Sequence, residues 1–158
     1  MKKIILFSLG SFVLGVFICL MLIYQIAPKM MLLENESKFA FEETVNQFEA
    51  SIKNHNWSMI KVHDLQKSME KHGHIVKNVK VFEFCHPDLA KRILEADDDR
   101  IVSSMMPCRI AIYEKNDGKT YISRMNSGMM SKMMSSLVQD VMGTATQQSE
   151  DIMNVIIK

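Results

Sequence analysis

Three patterns in the chain predict an α+β domain, an antiparallel sheet with helices stacked on one face, set behind an N-terminal transmembrane helix. They are an uncharged run from Ile4 to Ala27, a hairpin signal at Asn116-Asp117-Gly118, and one-sided apolar periodicity on both sides of that hairpin. The run divides the chain into a signal-anchor over residues 1–28, a juxtamembrane segment with a candidate first strand over 29–40, and the α+β domain over 41–158.

A helix over the 24 residues from Ile4 to Ala27 rises about 36 Å, enough to cross a hydrocarbon core of about 30 Å. A cleaved signal peptide would have a shorter apolar region closing in a small-x-small site, and Tyr24-Gln25-Ile26-Ala27-Pro28 offers none. With Lys2, Lys3 and the terminal amine against Lys29 and Lys38, the charge rule keeps the N-terminus cytoplasmic. The expectation is a single-pass membrane protein whose domain lies in a periplasm or outside the cell. Ser11, Gly15 and Cys19 recur every four residues, a small-residue stripe on which two such helices could pair.

Phe41, Val45, Phe48 and Ile52 fall on one face of a helix, with Glu42 and Glu43 in its first turn. Trp57 to Val62 has strand composition, and Asp64 is placed to cap a short helix over Leu65 to Lys71 that Gly73 ends. Val79-Lys80-Val81-Phe82-Glu83-Phe84 is apolar on both faces, as an interior strand is. Pro87-Asp88-Leu89-Ala90 starts a helix running toward Leu94, and Asp97 to Asp99 reads as an exposed loop. Arg109 to Tyr113 and Thr120 to Arg124 flank the Asp-Gly turn. From Met129 to Met142 apolar and polar pairs alternate as in a one-sided helix, which Gly143 is placed to end, with a last helix over Ser149 to Ile157.

The balance of 19 basic and 18 acidic residues, net +1, leaves no excess to hold a nucleic-acid backbone, so nucleic acid is excluded as a partner. No Gly-rich phosphate loop, His-Glu-x-x-His or Gly-x-Ser-x-Gly occurs, which leaves a hydrolase or kinase without support.

Cys85-His86-Pro87-Asp88-Leu89-Ala90, then Met106-Pro107-Cys108-Arg109, then the hairpin from Tyr113-Glu114-Lys115 to Asp117-Gly118-Lys119 together resemble the family called domain of unknown function 302. The resemblance covers about Phe41 to Met142, with His86 where the family more often has Asn. It implies a small TATA-box-binding-protein-like α+β architecture, a tendency toward homodimers, and no settled activity. A shared fold of that kind does not imply DNA binding.

Cys85 closes one strand and Cys108 opens another, each beside a Pro. Three readings stand: a structural disulfide, two inert buried thiols, or a functional thiol or metal pair. In the last, Cys85, His86, Met105, Met106 and Cys108 offer soft donors suited to copper, and the imidazole would serve copper or zinc. The spacing matches no compact metal motif. Met125, Met129, Met130, Met133 and Met134 read more simply as a core or dimer stripe than as a copper path. Arg109 and Arg124 are candidates for an anion site, with paired or solvated charges as the ordinary reading. The sequence thus points to a membrane-anchored, dimeric ligand- or partner-binding module more than to an enzyme. A thiol redox or sulfur-handling protein working through Cys85 and Cys108, and a purely structural module, are the alternatives.

Overall fold

The computed structural model describes residues 2–158, without the side chains of residues 2–11, 28 and 29. In chain order the elements are α1 (Lys2–Met31), β1 (Leu32–Glu36), α2 (Phe41–Asn54), β2 (Ser58–Asp64), α3 (Leu65–Glu70), β3 (Val79–Cys85) and α4 (Pro87–Leu94). A 3-10 segment (Asp99–Met105), β4 (Cys108–Glu114), β5 (Thr120–Met125), α5 (Ser127–Ser131) and α6 (Ser136–Met153) complete it. All strands pair antiparallel in the order β1-β5-β4-β3-β2.

Alternation along the central strands sends Phe82 and Phe84 of β3, Ile110 and Ile112 of β4 and Ile122 of β5 to one face, where all are buried. α2 covers that face with Phe41, Val45, Phe48 and Ile52, and α6 adds Ile152 and Met153. Phe48 stands edge-on to Phe82 at 5.2 Å and to Phe84 at 5.7 Å between ring centroids. Each fully buried side chain of this size is worth about 2 kcal/mol, so this layer carries most of the fold's stability. A second cluster of Ile93, Val102, Val138 and Val141 joins α4, the 3-10 segment and α6. The opposite sheet face is polar: Glu83 there meets both Arg109 and His63, and Tyr113 stacks on Tyr121.

Several local signals act as expected. Asp64 accepts a hydrogen bond from Lys67 N at 2.9 Å and so caps α3. Pro87 occupies the first turn of α4. Gly118 takes φ +77° between β4 and β5, a conformation that favours glycine.

Three expectations are corrected. Among the described residues no helix is long and apolar enough to cross a membrane. The side chains of the expected span are described over residues 12–27, which by themselves rise about 24 Å. The rest of the expected span, its flanking Lys2, Lys3 and Lys29, and Ser11 of the small-residue stripe lie outside the described side chains. The expected helix over Met129 to Met142 is broken: α5 stops at Ser131, and Ser135 starts α6 by accepting from Val138 N at 3.2 Å. Gly143 does not end a helix, because α6 runs through it to Met153. A glycine costs a helix about 1 kcal/mol, which burial of Val138, Val141, Ile152 and Met153 along α6 outweighs. Asp97 and Asp98 are exposed as expected, and Asp99 opens the 3-10 segment.

Candidate functional site

Where β3 ends and β4 begins, the sheet does not meet the helices closely. A cavity of about 210 Å³ opens there between the strand ends, α4, the 3-10 segment and α6. Cys85, His86, Met105, Met106, Cys108, Arg109 and Arg124 all line it, whereas Met129, Met130, Met133 and Met134 do not.

Register explains how the cysteines sit. Cys108 pairs with Phe84, and Cys85 with Ser58 on the other side of β3. Adjacent strand residues point to opposite faces, so Cys108 goes with Ile110 and Ile112 toward the helices while Cys85 reaches the cavity from the strand end. Both are free thiols. Burial raises the Cys85 thiol above its ordinary value, partly offset by its contact with the His86 backbone. Burial, and then the neighbouring Cys85, push Cys108 up to about 11.

The His86 ring lies edge-on to Trp57 at 5.7 Å, and its Nδ1 is buried with no hydrogen-bond partner among the described residues. Trp57 is itself held by a bond from Nε1 to Gln148 Oε1 at 3.0 Å. Arg124 points toward α6 and donates to both carboxylate oxygens of Glu150, at 2.7 and 2.6 Å, and to Asn35 Oδ1 at 2.8 Å. Arg109 donates to Glu83 Oε1 from Nε at 3.0 Å, with Nη2 at 2.9 Å. Each guanidinium proposed for an anion is therefore neutralised by a carboxylate of the same chain. Among the described residues, no three His, Cys, Asp or Glu side chains gather to hold a metal ion.

The sequence model of the family described as Domain of unknown function DUF302 matches residues 33–158. The chain belongs to this family. A crystal structure of an uncharacterized conserved protein DUF302 from Bacillus stearothermophilus is similar, with a TM-score of 0.71 and 19% identity. The alignment covers 80% of this chain and 98% of that one; at such identity the likeness concerns the fold. No curated protein matches the chain.

In this DUF302 domain, the cavity's chemistry follows from its wall. A thiolate, not a thiol, is the nucleophile and the metal ligand, and burial holds both sulfurs toward the neutral form. Sequence reasoning missed the other half of the wall: Trp57, and Val141, Met142, Ala145 and Ser149 from α6. The signal was present in Val138, Val141, Ala145, Ser149 and Ile152, which recur at steps of three and four along one helix face. Splitting that run at Gly143 hid it.

Proposed function

We propose that this DUF302 domain is a binding module for a small, largely apolar molecule held in the cavity at the β3–β4 end of the sheet. The cavity itself carries this reading. Its wall is mostly apolar, it is concave, and it lies between secondary elements that other buried contacts already hold in place, the usual character of ligand sites. An apolar cavity of about 150 Å³ stays dry and takes up benzene, so one of about 210 Å³ has room for a larger guest. The raised thiols weigh against a redox or metal role and serve as wall.

Trp57 is the single tryptophan and lines the cavity, which makes its emission a local reporter. Titrating the full chain with uncharged apolar molecules from benzene to naphthalene size should produce a saturable change in Trp57 emission. Ligand at about a hundred times its Kd should also stabilise the fold by about 2.7 kcal/mol. Ala90→Phe, which places a ring in the cavity from α4, should abolish both effects. An emission change that does not saturate, or that persists in Ala90→Phe, would refute the proposal.

A further inference from the structure

Apart from His86, the polar side chains around the cavity already have partners in the same chain. Ser127 and Thr146 hydroxyls bond each other at 3.0 Å, Ser149 Oγ donates to Thr146 O at 2.8 Å, and Ser104 Oγ donates to Ile101 O at 3.2 Å. Arg124 is paired with Glu150 and Arg109 with Glu83, and His86 Nδ1 lies sealed beneath the surface. A charged guest would give up water for a wall whose cationic side chains are already paired and whose one unpartnered polar side chain is the buried His86 ring, which costs affinity. Recognition must then rest on shape and polarizability.

The wall's distinctive component is sulfur: Cys85, Met105, Met106, Cys108, Met125 and Met142 all line the cavity. Thioethers favour aromatic ring edges, and unbranched methionine side chains adapt to a flat outline. Trp57 and Phe84 add aromatic surface on the same wall, against which a ring packs offset or edge-on.

We infer that the ligand class is an uncharged aromatic molecule of about two fused rings, gripped at its edges by the sulfurs of Met105, Met106 and Met142. This rests on the binding role proposed above and narrows it. Decalin and naphthalene share a carbon skeleton, and the saturated one is the less soluble in water. A cavity driven only by removal of apolar area would hold decalin at least as tightly.

The deciding experiment measures headspace partitioning of naphthalene and of decalin into the full chain, with Ala90→Phe subtracted to remove uptake elsewhere on the molecule. Naphthalene should bind about tenfold tighter than decalin, since three modest sulfur–ring contacts combine to about that ratio. The volume-conserving triple variant Met105→Leu, Met106→Leu, Met142→Leu should bring the ratio to about one by weakening naphthalene alone. Binding of both guests with decalin equal or tighter overturns the aromatic inference and leaves the binding role standing. A preference that survives the triple variant overturns the role of sulfur. Saturable uptake of neither guest removes both this inference and the binding role. Should the triple variant fold poorly, Met142→Leu alone should lower the ratio, and the wild-type ratio already decides for or against an aromatic guest. Naphthoate, charged but of the same outline, should bind about a hundredfold weaker than naphthalene; equal binding overturns the claim of an uncharged ligand.

Discussion

Raising the pH from about 8 toward 11 should expose the character of Cys108. In the folded chain its thiol is moved from an ordinary 9.0 up to about 11, chiefly by burial and then by the neighbouring Cys85. Well below both values, a shift of this size leaves about a hundredfold less thiolate than an ordinary cysteine has. Alkylation of Cys108 by iodoacetamide, followed by peptide mass mapping, should be slower by at least that factor than in the unfolded chain at about pH 8. Restricted access alone would slow the reaction at every pH, whereas a raised pKa moves the pH at which the rate levels off to about 11. The same shift has a thermodynamic side. Between the two values the native state binds more protons than the unfolded chain, so stability falls as pH rises through that window. The fall totals about 3 kcal/mol at about 1.4 kcal/mol per unit. Tyr113 and Tyr121 are each raised to about 12 and add their own alkaline dependence. Urea unfolding of wild type and Cys108→Ala, compared across that range, isolates the thiol: the variant should lose less stability with pH. A rate that levels off near pH 9 or below, or identical pH dependence in the two proteins, would refute the argument that burial keeps this sulfur neutral, and with it the case against redox chemistry here.

Further predictions concern the scaffold around the cavity. Arg124→Met leaves Glu150 without its bidentate partner; with the Glu150 side chain 31% exposed, the loss should be about 2 kcal/mol in urea unfolding, below the about 3 to 5 kcal/mol of a fully buried pair. Adding Glu150→Gln to that variant should restore part of the loss. Ser135→Ala removes the cap that starts α6 and should cost about 1 kcal/mol, with amide exchange quickened first at Val138. Gly118→Ala meets no neighbour within 4 Å but must hold φ +77°, so it should destabilise by about 1 kcal/mol from backbone strain alone.

What the sequence makes legible is what local chemistry decides. Val79 to Phe84 reads as an interior strand because both its faces are apolar, and β3 lies between β2 and β4. Asn116-Asp117-Gly118 reads as a hairpin because few residues accept positive φ, and the turn is there. Gly143 misled because its intrinsic cost is a local quantity, while the burial that outweighs it comes from strands and helices distant in sequence. For the site, Cys85, His86 and Cys108 were visible as types flanking strand ends. Their enclosure was not, because it depends on α6 crossing the sheet at a place no local rule sets.

The edge of the sheet imposes an order on assembly. β2 through β5 each lie beside their neighbour in sequence, but Leu32 of β1 waits for Met125, and Ser37 bridges to Ile157 while Lys38 N bonds Ile156 O. Contacts of such long sequence separation form late, since closing the intervening chain costs entropy before the contacts repay it. As the chain is synthesised, β1 emerges first and docks last. Until β1 docks, β5 has an unpaired edge open to a strand from another chain, so the interval before that docking is when this fold is most exposed to misassembly.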